Sequence, residues 1–209
     1  MKLYYSPGAC SLAPHIALRE ADRRFDLERV DLKTHRTASG ADYALINPKG
    51  YVPALKIDGE LLTENAVVLQ YIADLVPEKR LAPAPGTIGR YHLMEWLTFI
   101  ATELHKQFFP MFVPGTPLSV ESRQRGKVGE RLLYVRDVLS DRAYLLGETF
   151  SVADAYLFVM LQWGAHWGID LQIFPSLDEY EYRVAGRPAV QAAMRAEGLQ
   201  LRHEFKRSA

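Results

Sequence analysis

The sequence predicts an α/β domain over 1–79, a linker at 80–89 and an all-helical domain over 90–209. Three observations carry that expectation. Short β-prone runs alternate with helical spacing up to about residue 76, the stretch "PEKRLAPAPGTIG" is rich in Pro and Gly, and every periodic segment from Arg90 onward is helical.

The elements follow in chain order. Lys2 to Tyr5 is a β-prone run, "SPG" turns the chain, and Leu12, Ile16, Ala17 and Ala21 then recur at helical spacing, which sets Cys10 and Ser11 at a helix start. Phe25 to Asp31 alternates as a second strand. "VPALKIDGELLT" predicts two strands joined at Asp58-Gly59 by a type I′ hairpin. Glu64 opens a helix in which Val67, Val68, Tyr71 and Ile72 share a face, and the segment before Val52 reads as a loop. In the helical half, Leu93, Leu97, Ile100 and Leu104 form one stripe, with Thr98, Thr102 and His105 on another. Val128, Leu132, Val135 and Leu139 repeat the spacing. Ser151 and Asp154 form an S-x-x-D capping box for a third helix, Gly147 ends the segment before it, and a last amphipathic helix lies near Pro188 to Glu197.

Composition narrows the function. Hydrophobic residues make up 48% and charged residues 24%, with 25 Lys plus Arg balanced by 25 Asp plus Glu, so nothing invites a nucleic acid or another polyanion. No secretory signal is expected, because "SPG" breaks the first apolar stretch, and no apolar run of about 18 residues predicts a membrane span. The single cysteine excludes an intramolecular disulfide and fits a reducing cytoplasm. The zero net charge also leaves self-association unopposed.

Cys10 is the first chemical candidate. A thiol reacts as its thiolate, and a helix N-terminus favours negative sulfur, whereas the bland reading is a small buried hydrophobe. No second cysteine follows, so any disulfide needs an external thiol, and a small-molecule thiol becomes the candidate partner. Val52-Pro53 reads either as an edge proline or as a cis bond that leaves the Val52 N–H and C=O free for an extended peptide-like ligand. Glu64-Asn65 stands at a helix start suited to a carboxylate, with plain capping as the alternative. His105 can hydrogen-bond a thiol or act as a general base, or be ordinary satisfied structure. The other histidines show no metal-ligand spacing, and no metal is expected.

"MKLYYSPGACSLAPHIALRE", "NPKGYVPAL", "LLTEN", "FIATELHK" and "LLGETFSVADAYLF" together resemble the bacterial beta-class glutathione S-transferases, in order and across essentially the whole chain. The resemblance implies a thioredoxin-like N-terminal domain, an all-helical C-terminal domain and a homodimer with two active sites at the subunit interface. It implies glutathione as co-substrate, no permanently bound cofactor, and a cytoplasmic role in detoxification. By position, Cys10 matches the cysteine beside the glutathione sulfur, His105 the histidine sharing that site, and Tyr5 a residue near the sulfur, with Ser11 completing the helix start. Val52 and Pro53 match the pair that holds the cysteinyl backbone. Glu64 and Asn65 match the residues for the γ-glutamyl end, and Thr102 and Glu103 fall in a segment that contributes further contacts. His35, with Lys33 nearby, stands where relatives carry a lysine for the glycyl carboxylate, Thr98 where they often have Asn, and Asn65 where they have Ser or Gly.

The implied reaction is attack of the glutathione thiolate on a small apolar electrophile, with Phe108, Phe109, Met111, Trp163, His166 and Trp167 as candidate pocket residues. The alternatives are a glutathione-dependent disulfide reductase or peroxidase centred on Cys10, a reductive dehalogenase, and a non-catalytic ligand-binding protein of the same fold.

Overall fold

A five-stranded sheet of order β3-β2-β1-β4-β5 organises the first part of the chain. The structure, a computed structural model, describes residues 1–200. β1 (Lys2–Tyr5) lies at the centre, parallel to β2 (Asp26–Asp31) and antiparallel to β4 (Ala54–Ile57). β5 (Glu60–Thr63) returns through the expected hairpin, where Asp58 and Gly59 both take positive φ, +47° and +94°. β3 (Arg36–Thr37) pairs antiparallel with β2.

Successive side chains of a strand face opposite ways. Tyr4 therefore joins Val30, Tyr43, Val52 and Ala54 in one buried cluster, while Leu3, also fully buried, points to the other side. α1 (Leu12–Glu20) packs on α3 (Asn65–Asp74). In α3 the buried positions are Asn65, Val68, Leu69, Ile72 and Ala73, so the expected face is displaced and Val67 is exposed. The stretch read as a loop holds β3 and α2 (Tyr43–Ile46), a single turn started by the Asp42 side chain, which accepts from the Ala44 N–H at 3.0 Å.

The chain divides into two compact units, Met1–Ala82 with the segment from Gly186 onward, and Pro83–Ala185. This differs from the expected division at the last helix, α9 (Pro188–Ala196), which packs on α1. Arg187 donates both Nε and Nη2 to the Glu20 carboxylate there, at 2.6 and 2.9 Å.

The second unit is helical. α4 (Ile88–Phe99) runs into a π-helical stretch at Ile100–His105, followed by α5 (Lys106–Phe108) and a 3-10 turn at Phe109–Phe112. Leu93, Leu97, Ile100 and Leu104 are fully buried, as their spacing predicts. α6 (Leu118–Val138) buries Val128, Leu132 and Val135, and α7 (Val152–His166) is buried almost all round. α8 (Pro175–Ala185), which the sequence did not reveal, packs on α7.

The expected capping box starts α7. Asp154 accepts at one carboxylate oxygen from the Ser151 N–H and hydroxyl, both at 2.8 Å, and at the other from the Leu145 N–H and the Tyr180 hydroxyl, both at 2.9 Å. Burial pushes this carboxyl above its ordinary pKa, while the Leu145 and Ser151 donors and the Tyr180 hydroxyl pull the other way. Among the described residues no helix is long and apolar enough to cross a membrane, and no cluster of His, Cys, Asp and Glu is arranged to hold a metal ion.

Candidate active site

In the first unit the turn Ser6–Pro7–Gly8 delivers Cys10. Gly8 adopts φ +70°, a conformation that favours glycine, and the Ala9 N–H closes the turn on the Ser6 carbonyl at 3.0 Å. Ser11 is fully buried, and its hydroxyl accepts from the Ser6 N–H at 3.2 Å. That hydroxyl, which also approaches the Ser6 carbonyl at 3.4 Å, ties the turn to the helix start.

Cys10 is buried, and its thiol donates to the Val52 carbonyl at 3.2 Å. Burial pushes the thiol up to about 12, against the lowering pull of the Cys10 and Ser11 N–H groups, and the Glu64 charge adds to the rise. The helix start therefore does not make a thiolate here. Desolvation outweighs it, and Cys10 is a neutral S–H donor.

The Val52-Pro53 bond is cis. The Val52 carbonyl, expected to be free, already accepts the Cys10 thiol. The Tyr51 carbonyl next to it accepts from the Tyr43 hydroxyl at 2.9 Å and from Asn47 Nδ2 at 2.7 Å. Neither Tyr43 nor Asn47 stands out in the sequence, and only the short α2 turn brings them to this carbonyl. The His35 ring lies against Gly50 of the same loop, 3.1 Å from where a Cβ would stand. Lys33 is exposed, its N–H donating to Asp31 at 2.8 Å.

Glu64 holds φ +68° and makes no side-chain cap, so plain capping is not its role. Its carboxylate is exposed and receives Lys49 Nζ at 2.6 Å, which also donates to Thr63 Oγ1 at 2.9 Å. Asn65 is buried, and neither its amide oxygen nor its amide nitrogen has a hydrogen-bond partner. A buried amide without partners is costly unless something else supplies them. Tyr5 turns away from the Tyr4 and Val52 cluster, with its ring 6.2 Å from that of His15. Burial and the Glu197 charge raise its pKa.

In the second unit the π-helical stretch breaks the predicted stripe. Its i→i+5 pattern widens the spiral, so His105 at its end leaves the stripe of Thr98 and Thr102, while Leu104 keeps to the buried side. Thr98 and Thr102 stay exposed, donating to the carbonyls of Met94 and Thr98 at 2.8 and 3.0 Å. His105 instead turns inward, with Nδ1 2.6 Å from the Tyr156 hydroxyl and its ring 5.0 Å from that of Trp163, edge to face. Burial, aided by Lys106, lowers its pKa to about 4, so near neutral pH it is an uncharged imidazole and a weak base. Glu103 pairs with Arg131 at 2.8 Å.

Of the expected pocket residues, Phe108 and Met111 are buried in the core of the unit rather than presented to a ligand. Phe109 is exposed beneath Lys106, 5.0 Å from its ring centre, and His166 is exposed against Trp167. Trp163 and Trp167 are joined through Phe112, at 4.8 and 5.5 Å. Sequence reasoning missed Phe112 and Tyr156. Phe112 sits in a 3-10 turn with no period to flag it, and Tyr156 is hidden in an apolar run 51 positions from its histidine.

The descriptions "Glutathione S-transferase, N-terminal domain" and "Glutathione S-transferase, C-terminal domain" match residues 1–74 and 99–188. The chain belongs to the glutathione S-transferase family. It is 46% identical to glutathione S-transferase GstA of Escherichia coli, over 95% of this chain and all of that one. Among solved structures, a bacterial beta-class glutathione S-transferase of Sphingomonas chungbukensis is 50% identical with a TM-score of 0.93, covering 96% of this chain and 100% of that one. A sphingomonad glutathione S-transferase complexed with glutathione is 48% identical with a TM-score of 0.92, over 96% of this chain and 100% of that one. The fold is accordingly that of a glutathione S-transferase of beta-class type, and the activity is that of a transferase with glutathione as co-substrate.

Proposed function

We propose that this transferase conjugates glutathione to small apolar electrophiles, with Cys10 acting as an S–H donor to the glutathione sulfur rather than as the nucleophile. The observation that carries this reading is the buried Cys10 thiol, pushed up to about 12 and donating at 3.2 Å. Two thiolates side by side would repel, whereas a neutral thiol can hydrogen-bond an anionic sulfur and favour it. By turning from Val52 to that sulfur, Cys10 would release a carbonyl for the cysteinyl N–H of the ligand, with Pro53 fixing the strand entrance.

Glu64 and the unpartnered amide of Asn65 support recognition of the γ-glutamyl end, which carries both an ammonium and a carboxylate. His35 is favoured over Lys33 for the glycyl carboxylate, because its ring already lies on the Val52 loop. In the second unit, Thr98, Thr102, Glu103 and His105 are proposed as further glutathione contacts, His105 as a neutral partner. Trp163, Trp167 and Phe112 are proposed for the electrophile. The buried indole N–H of Trp167 has no hydrogen-bond partner, which supports an electrophile bearing an acceptor group.

The working unit is proposed to be a cytoplasmic homodimer in detoxification. Residues 1–79 would bind glutathione, 80–89 link, and the helices of the second unit contribute the apolar pocket. The exposed side chains of Tyr91, Met94 and Tyr134 favour self-association.

Turnover of glutathione with an aryl halide tests the assignment. A Cys10→Ala variant should keep conjugation within about tenfold and lose disulfide exchange, since a hydrogen bond to a charged sulfur is worth about 1.5 kcal/mol at the low end of its range and other donors remain. Loss of both activities would make Cys10 the covalent centre and overturn the reading.

A further inference from the structure

We infer that Glu197, at the C-terminus of α9, is a positioning residue for the Cys10 turn, acting through the Gly8 amide and held in place by His15. This rests on the reading of Cys10 and Val52 as the glutathione sulfur site.

The geometry is a chain of hydrogen bonds built around a buried pair. Arg19 Nε donates to His15 Nε2 at 2.9 Å. With that nitrogen accepting, the hydrogen of the ring sits on Nδ1, which faces Glu197 Oε1 at 2.8 Å. The other carboxylate oxygen, Oε2, accepts from the Gly8 N–H at 2.9 Å. Both side chains of the His15–Glu197 pair are fully buried, so neither can exchange its partner for water. Leu199, just beyond, packs on Gly8 from the same side, with Cδ2 3.5 Å from the Cβ position of that glycine.

The arrangement has a direction. Gly8 lies in the left-handed region, between Ser6, whose N–H and carbonyl are tied to Ser11, and Cys10, whose thiol meets Val52. A turn needing positive φ has few local interactions to fix it, and the Glu197 oxygen supplies one from 189 positions away. Two acceptors on one side chain are required, one for His15 and one for Gly8. A carboxylate provides both and an amide provides one. In Glu197→Gln, an amide oxygen turned to His15 leaves the NH2 facing the Gly8 N–H, and the reverse orientation leaves it facing the His15 hydrogen.

Glutamine at this position is therefore the decisive substitution, and the lone cysteine is the reporter. Cys10 is labelled with iodoacetamide in the full-length protein well below its unfolding midpoint, and glutathione KM and kcat are measured with a saturating aryl halide. The expected result for Glu197→Gln is labelling at least fivefold faster, glutathione KM raised at least fivefold, and kcat within twofold of the parent. His15→Asn keeps a donor where Nδ1 stood and should return both values to within about twofold, whereas His15→Ala should resemble Glu197→Gln. If Glu197→Gln does not fold, the Asn and Ala variants at His15 carry the same comparison. A folded variant whose melting point drops while labelling rate and KM stay at parental values would show a structural role alone and overturn the inference. Labelling needs no glutathione. If glutathione bound to the parent fails to protect Cys10, the sulfur-site reading fails, and the positioning of the turn still stands or falls by the labelling rates.

Discussion

The Cys10 corner and the His105 corner solve the same problem in different materials. Each holds a titratable group in its uncharged form by burial, which raises the thiol to about 12 and lowers the imidazole to about 4. The first is framed by main chain: Cys10 meets a backbone carbonyl, and the loop bearing it is tied through another, that of Tyr51. The second is framed by side chains from other elements, Tyr156 and Trp163 of α7. A backbone frame stays in place when a neighbouring side chain is exchanged, whereas a side-chain frame depends on α7 being correctly started.

The largest expected effect tests that dependence. Asp154→Ala removes the acceptor for two buried N–H groups and the Ser151 and Tyr180 hydroxyls, and it should cost about 3 kcal/mol or more. Denaturant unfolding measures it. A cost below about 1 kcal/mol would mean that α7 is held by its apolar faces alone, and the contrast between the two frames would lapse.

Next comes the pH response of His105. Its folded value of about 4 lies below the unfolded value near 6.5, so between them the unfolded chain binds the extra proton. Stability should be complete above pH 6.5 and fall as the pH drops toward 4, by up to about 3 kcal/mol. His105→Gln should flatten that part of the curve. An unchanged acid limb in the variant would assign it to other groups.

Cys10 responds in the opposite window. Its folded value of about 12 exceeds that of a free thiol near 8.5, so the unfolded chain loses its proton first and stability declines as the pH rises past about 9. By pH 10 the decline from this group is roughly 1–2 kcal/mol, absent in Cys10→Ala. Alkylation gives the kinetic counterpart: at pH 8 a thiol of that pKa is ionised to about one part in ten thousand, and the free protein should react far more slowly than a small thiol. Rapid labelling at pH 8 would show an exposed or activated sulfur.

What the sequence could convey divides along the same line. The Ser6–Gly8 turn, the Asp58-Gly59 hairpin, the Ser151/Asp154 box and the cis Val52-Pro53 option were legible because each is specified within a few positions by residues with strong φ/ψ or capping demands. α2 was not, since one turn has no periodicity to display, and nothing in "FIATELHK" marks a π-helical stretch that redirects His105. Nor could the sign of the Cys10 shift be read. A helix start is visible in sequence, but the burial that decides the shift depends on residues such as Val52 arriving from elsewhere in the chain. The apolar stripes located the core yet could not tell Phe108, which is buried in it, from Phe109, which is exposed.

The smallest effect concerns Lys49. Its ion pair with Glu64 is exposed on both sides, at 54% and 65%, so Lys49→Ala should change stability by less than about 0.5 kcal/mol. Its effect on binding distinguishes two roles for the same contact. If Glu64 receives the ammonium of the γ-glutamyl end, Lys49 competes for that carboxylate. Removing it should then lower glutathione KM by about twofold, most clearly at low ionic strength, where the pair is least screened. A KM that rises instead would place Lys49 on a carboxylate of the ligand, and the main-chain frame of the first unit would include one side chain that binds rather than blocks.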